Sequence, residues 1–248
     1  MIPGPVPRLD GRVAIVTGGG TGLGAEICRQ LADAGASVAV NHSRSADAAR
    51  GVAAGLPTPA ISVRADVRDD EQVRAMVEHV ERELGGPVEL LVNNAGVTTY
   101  VPASDLDAIS DEDWLRILDV NLVGAWRCIR AVAGGMRGRG HGAIVNVASD
   151  AAEFLEGSSI PYVVSKVGVV ALTRILAASI APVRVNAVEP GWMDTPWLDR
   201  YVPSDVTAAL RAGDEPTVAV GTVAAAVVRL LADDAATGEV VLLSTEEP

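Results

Sequence analysis

Lysine is almost absent from this chain: of its 20 basic residues, 19 are arginine and one, Lys166, is lysine. Positive charge of either kind is scarce, since 32 acidic residues leave a net charge of −12. That balance argues against nucleic acid or an anionic membrane surface as a partner, because both require a positive footprint. Only two cysteines are present, Cys28 and Cys128, without the close spacing of a disulfide framework or a thiolate metal site. The three histidines, His42, His79 and His141, stand without ligand spacing, so no metal is expected. Aromatic residues are sparse at 3%, with a single phenylalanine. Long apolar runs are missing as well: no window approaches the ~18 continuous apolar residues of a membrane span. The segment 1–7 carries three prolines and no basic cluster, unlike a signal peptide. The expectation is a cytoplasmic protein whose partner is a small molecule.

What is present is a globular composition, 49% hydrophobic and 21% charged over 248 residues, enough for one sizeable core. Val- and Ile-rich runs at 13–17, 37–41, 60–64, 89–92, 143–148, 183–188 and 239–243 lack polar alternation and read as strands buried on both faces. Helix-period stretches lie between them at 22–34, 45–54, 70–84, 111–137, 161–179 and 218–232. Such alternation predicts an α/β fold: a doubly wound, seven-stranded parallel sheet of Rossmann type, helices on both faces, one domain over 1–248. Two irregular regions, 97–110 and 189–213, follow strands and so belong over the carboxyl edge of the sheet, where ligands bind. The second holds Trp192, Trp197 and Tyr201 and reads either as a substrate lid at about 191–213 or as a helical packing insert.

Directly after the first strand comes Thr17-Gly18-Gly19-Gly20-Thr21-Gly22-Leu23-Gly24, opening a helix. Glycines at 18, 22 and 24 permit a tight turn and close approach to a pyrophosphate, and a helix N-terminus offers free N–H groups to it. The bland alternative is an ordinary tight turn. After the second strand, a carboxylate would receive a ribose 2′-OH. This chain has Asn41, His42, Ser43 and Arg44 there instead, and an arginine suits a 2′-phosphate, so NADP is favoured with NAD as the alternative. Arg44 is equally readable as an exposed residue at a helix start. Asp66, with Val67 beside it past the third strand, is placed either to meet an adenine amino group or to cap a helix.

Tyr162 and Lys166, four apart on a predicted helix, share one face, and Ser149 lies thirteen residues earlier at the end of the fifth strand. An ammonium beside a phenol favours the phenolate and moves its pKa towards a working range, while a serine hydroxyl can hold a carbonyl oxygen. A core tyrosine beside a surface lysine is the alternative for the pair alone. With the TGxxxGxG turn, Asn93-Asn94-Ala95-Gly96, Asn121 and Pro190-Gly191, these residues resemble the short-chain dehydrogenase/reductases, in particular their 3-oxoacyl-carrier-protein-reductase-like branch. The likeness runs from about Leu9 to Gly238.

The resemblance implies hydride transfer between a nicotinamide and a carbonyl or alcohol carbon of a small to medium organic substrate. It implies Tyr162 as proton donor or acceptor, Ser149 as holder of the substrate oxygen, and Lys166 as the group that depresses the tyrosine pKa and bonds the nicotinamide ribose. It further implies Asn121 in a water-linked proton relay to Lys166, Asn94, Ala95 and Gly96 at the adenosine ribose and sheet contact, and Thr195 at the carboxamide or phosphate. Homotetramers are implied, with a dimer as the alternative. A cofactor-sensing regulator without turnover, or an epimerase or dehydratase, are the other functions such a fold could serve. Asp150, Phe154, Trp192 and Trp197 are candidate substrate contacts, and Asp150, Glu153, Glu189 and Asp194 form either an acidic rim or part of the general acidic surplus. After the last strand the chain has Ser244-Thr245-Glu246 where the family usually has Asp-Gly-Gly, which leaves that contact in doubt.

Overall fold

The computed structural model describes residues 8–214 and 216–245; the segment 1–7 and Glu246 lie outside the described residues. Seven strands form one parallel sheet in the order β3-β2-β1-β4-β5-β6-β7. They are β1 (Val13–Val16), β2 (Ser37–His42), β3 (Ala60–Arg64), β4 (Val88–Asn93), β5 (Ala143–Val147), β6 (Arg184–Pro190) and β7 (Val240–Leu243). Successive side chains in a strand point to opposite faces, so each strand feeds two cores. Ala14 and Val16 pack under one face with Leu90, Val92 and Val145, whereas Val13 and Ile15 pack under the other with Leu91 and Ile144. This explains the unbroken apolar runs: neither face of the central strands meets water.

The first face is covered by α1 (Gly22–Asp33) and α10 (Val220–Ala232), through Ile27, Leu31, Val223, Val227 and Leu231, with α2 (Ala46–Ala54) at its margin through Ala49. The second face is covered by α3 (Asp70–Glu83), α5 (Gly124–Arg139) and α7 (Ile160–Ser179), through Val73, Val80, Ile129, Val132 and Leu176. Full burial of aliphatic side chains of this kind contributes roughly 1.5–3 kcal/mol each. Cys28 belongs to the first core and Cys128 to the second, so the sheet itself separates the two thiols. The strand order reverses at the β1–β4 pair, which opens a crevice at the carboxyl edge between the loops that leave these strands.

Several expected boundaries differ. The predicted helix 111–137 is two helices, α4 (Asp111–Leu118) and α5, joined by a widened π-turn, Asp119–Val123. The cause is visible at Asn121, whose side chain is drawn inward to bond Val97 and Ser165. Strand β6 continues two residues beyond the expected end and includes Glu189 and Pro190. A short helix, α6 (Ala151–Phe154), follows β5. The segment 191–213 carries α8 (Pro196–Tyr201) and α9 (Ser204–Ala212), which share a small aliphatic core of Leu198, Val202 and Leu210. By length and mean hydropathy alone (1.6) α7 passes as a span, although Lys166 and Arg174 interrupt its apolar run. Here it packs on the sheet and carries Tyr162 and Lys166 into the crevice.

Candidate active site

The crevice is a cavity of about 1230 Å³. One end is bounded by the loop between β1 and α1. Gly18 and Gly22 there adopt φ of +64° and +52°, backbone that L side chains rarely take. Gly24 is required by proximity: a Cβ on it would sit 2.3 Å from the Gly18 carbonyl oxygen and 2.6 Å from Asn94 Nδ2. The loop is braced from β4. Asn94 Nδ2 donates to the carbonyls of Thr17 (2.9 Å) and Gly18 (3.1 Å), and Thr17 Oγ1 accepts from the N–H groups of Asn94 (2.9 Å) and Ala95 (3.0 Å). Thr21 stands at the N-cap of α1 but supplies no side-chain cap, so the first-turn N–H groups keep their capacity for an anion.

Asn41 belongs to this bracing as well. Its side chain, 2% exposed, accepts from Gly18 N (3.4 Å) and donates to the Ala65 carbonyl (3.1 Å), tying β2 and β3 to the glycine loop. The groups left to meet a ligand after β2 are therefore His42, Ser43 and Arg44, all at the cavity wall. His42 Nδ1 is buried without a hydrogen-bond partner, and burial together with Arg50 and Arg64 lowers the imidazole pKa. Arg44 is exposed and forms no ion pair among the described residues. Asp66 is not a helix cap; Asp69 caps α3, while Asp66 is held by Arg68 through Nε (3.0 Å) and Nη2 (2.6 Å), which keeps its carboxyl below the usual range. Arg68, which sequence reasoning missed, lines the same end with Val67. Its only sequence signal is its place two residues past Asp66.

At the other end, Ser149 follows β5, and α7 brings Tyr162 and Lys166 to it. The Ser149 hydroxyl donates to Asp150 Oδ1 (3.2 Å) and accepts from Ala151 N (3.2 Å), and both it and Tyr162 line the cavity. Lys166 is 5% exposed; its Nζ donates to the Val147 carbonyl (2.9 Å) and lies 5.5 Å from the Tyr162 ring centre. Burial lowers the Lys166 pKa to about 8. Tyr162 runs against expectation: burial pushes its pKa up to about 12, the Ser149 bond opposes this, and Asp150 adds to it. Its phenol is thus protonated across the neutral range, the state of a proton donor. Asn121 does not touch Lys166. It bonds Val97 N (2.9 Å), the Val97 carbonyl (3.0 Å) and Ser165 Oγ (3.0 Å). Gly96 lies between, where a Cβ would come within 3.7 Å of Asn121 Oδ1 and 3.9 Å of Lys166 Nζ.

The remaining candidates separate. Pro190, Gly191 and Thr195 line the cavity, and Thr195 leans on the glycine loop, since a Cβ on Gly22 would lie 3.2 Å from its own Cβ. Asp150, Phe154, Trp192 and Trp197 also line it, joined by Tyr100 and Tyr201. The acidic rim does not form: Glu189 is buried in β6 off the cavity, Asp194 pairs with Arg211 (2.9 Å), and Glu153 is exposed on α6. A nicotinamide dinucleotide fits what remains: a glycine cradle with no room for a Cβ at Gly24 and left-handed backbone at Gly18 and Gly22, a buried imidazole nitrogen lacking a partner, and two arginines at the far end.

Comparison with known proteins agrees with this geometry. A relative from Streptomyces violaceoruber, named as ketoacyl reductase 2 of the granaticin polyketide synthase, is 43% identical over 186 residues, 75% of this chain and 74% of that one. A galactitol 2-dehydrogenase from Rhizobium johnstonii is 38% identical over 221 residues, covering 87% and 84%. The crystal structure of a gluconate 5-dehydrogenase from Burkholderia cenocepacia, in complex with NADP and tartrate, superposes with a TM-score of 0.83 at 30% identity, covering 96% of this chain and 95% of that one. Residues 12–205 match the short chain dehydrogenase family. The chain therefore belongs to that family, an oxidoreductase built on a single Rossmann-like sheet.

Proposed function

We propose that the protein is an NADP-dependent oxidoreductase that interconverts a carbonyl and an alcohol, with Tyr162 as its general acid and base. The observation that carries this is the convergence of Ser149, Tyr162 and Lys166 at one end of a cavity whose other end is the glycine cradle. When bound, the nicotinamide supplies or takes the hydride. The residues do the rest. Gly18, Thr21, Gly22 and Leu23 would hold the pyrophosphate on backbone N–H groups, and Arg44 with Arg68 would meet the 2′-phosphate. Thr195 would hold the nicotinamide end. Ser149 fixes the substrate oxygen, Tyr162 gives it a proton, and Lys166, held by the Val147 carbonyl, keeps a positive charge beneath the phenol as that proton leaves. NADP rather than NAD is supported by the lack of a carboxylate after β2 and by the relative crystallised with NADP.

The experiment is direct: mix the purified protein with NADPH or NADH and a panel of ketones, and follow the nicotinamide absorbance. NADPH consumption with a KM roughly tenfold below that for NADH supports the reading; no consumption, or a preference for NADH, overturns it in whole or in its cofactor.

Assembly through a second copy belongs to the same proposal. Leu115 on α4 (69% exposed), Trp126 on α5, and Val164, Val167 and Ile175 on α7 (the last 61% exposed) form an apolar face. Helix α7 lies against α4 and against the π-turn between α4 and α5, where Gly168 packs on the Leu122 side chain. Burial of this face between copies accounts for its composition, and a tetramer is the expected state, a dimer the alternative. Sedimentation of a monomer at micromolar concentration would refute it.

A further inference from the structure

We propose, resting on the oxidoreductase reading above, that the substrate is a flat aromatic ketone or the matching alcohol, stacked among the rings around the reactive end of the cavity. The chain has eight aromatic residues. Neither core of the sheet contains one. Six of the eight, Tyr100, Phe154, Tyr162, Trp192, Trp197 and Tyr201, line this cavity, and each is half-buried. Proteins ordinarily place much of their aromatic surface in the core, where it contributes most. Here it comes instead from four separate stretches, the loop after β4, α6, α7 and the α8–α9 segment, to one rim.

Packing of the α8–α9 segment does not account for this. The fully covered side chains of its small core are aliphatic, Leu198, Val202 and Leu210. Tyr100, Trp192 and Trp197 lean on that core with one side and line the cavity with the other. Trp197 stands 5.9 Å from the Tyr162 ring at 50°, and 5.1 Å from the Tyr201 ring at 56°. Tilted rings at these separations leave faces and edges for a further ring, the arrangement aromatic groups prefer.

Most of the polar groups nearby point the same way, because they are engaged with one another; the exceptions are Glu156 and Arg200, both exposed at the rim, the latter lying over the Tyr201 ring. Arg116 binds Asp113 and Thr99, Asp199 binds Arg211, Thr98 binds Ser158, and Asp150 takes the Ser244 hydroxyl. A polyhydroxylated substrate would need many donors and acceptors of its own here. The site instead offers one oxygen anchor, Ser149 with Tyr162, set among ring surfaces. In the reaction the carbonyl carbon accepts a hydride from reduced nicotinamide and the oxygen accepts the Tyr162 proton, leaving an alcohol and oxidised nicotinamide.

The test compares tetralone, a fused aromatic ketone, with fructose and with an acetoacetyl thioester, all with NADPH. Tetralone is expected to exceed both in kcat/KM by about 100-fold. Trp197→Ala and Tyr201→Leu should each raise the tetralone KM roughly tenfold with kcat little changed, while Trp197→Phe restores it. Tetralol should quench tryptophan fluorescence saturably, a readout independent of turnover. Equal or better use of fructose or the thioester overturns the substrate class and leaves the oxidoreductase reading standing, as do unchanged KM values in both ring variants. If no ketone is turned over, the oxidoreductase reading falls, and the tetralol titration alone then upholds ring binding or, without quenching, overturns it.

Discussion

The two ends of the cavity are made of different materials. The cradle end is backbone and small side chains, Gly18, Gly22 and Gly24 locked by Asn41, Asn94 and Thr17 on the sheet edge, with the first-turn N–H groups of α1 left uncapped. The opposite end is ring surface carried on a loop and short helices, with a core of three covered aliphatic side chains beneath α8 and α9. On the reading proposed above, the first end would hold the nicotinamide cofactor and has no room for a methyl group at Gly24, and the other would meet the substrate through broad ring contact. Ser149, Tyr162 and Lys166 stand at the join, which is why substitutions there should behave like neither end.

The largest effects belong to that join. Tyr162→Phe and Lys166→Arg should each lower kcat by about 10²–10⁴-fold, the usual range for losing a positioned proton donor, with far-UV circular dichroism unchanged. Arginine fails at position 166 because its planar fork cannot replace a compact ammonium held by the Val147 carbonyl. Turnover near that of the unsubstituted protein in Lys166→Arg would erase the distinction between the join and the rest.

Next comes the cradle. Gly24→Ala places a methyl group 2.3 Å from a backbone oxygen that cannot move without opening the loop. An increase of roughly tenfold or more in the NADPH KM, with the ketone KM unaffected, is expected; a change in both constants would show that the ends are coupled. Arg44→Ala is subtler, raising the NADPH KM by about tenfold while leaving NADH unaltered, since only one of them carries the 2′-phosphate. Equal losses with both cofactors would assign Arg44 to something other than that phosphate.

The smallest effect lies off the cavity. Glu189 is 5% exposed, and burial first, then Glu153, pushes its pKa up to about 7, with Arg174 opposing. A carboxyl whose folded pKa is raised binds its proton more tightly when folded, so its burial costs nothing below the unfolded pKa and destabilises progressively as pH rises through about 7. Glu189→Gln should therefore gain roughly 1–2 kcal/mol at pH 8 and nothing near pH 4, allowing for partial solvent relief. Urea titrations at the two pH values measure this, and a gain independent of pH would mean the cause is packing.

The contrast between the ends also explains what could be read from the chain alone. The strands, their parallel order and the cradle are local patterns: runs of Val and Ile, and a glycine turn between a strand and a helix. Ser149, Tyr162 and Lys166 were legible because an i, i+4 pair and a strand end are short-range features. The π-turn at Asp119–Val123 was not, because the pull on Asn121 comes from Val97 and Ser165, far away in sequence. Asp66 was misjudged in one of its two readings for a similar reason: a carboxylate before a helix resembles a cap until Arg68 is seen to hold it. Tyr100 was missed as a cavity wall, and Tyr201 was named only within the lid segment, because ring surface from four stretches meets only after folding. The direction of the Tyr162 pKa escaped too, since spacing shows which charge is near and not how much water has been removed.

The burial of Lys166 has a practical consequence for protein chemistry. Amine-directed reagents usually decorate a protein's surface, but this chain has one side-chain amine, and it stands at the floor of the reactive end. With a pKa lowered to about 8, that amine is neutral and nucleophilic under mildly alkaline conditions where an ordinary lysine is still charged. Label found on Lys166 itself, told apart by peptide mapping from label on the α-amino group, would then count open sites, and protection from it would count occupied ones.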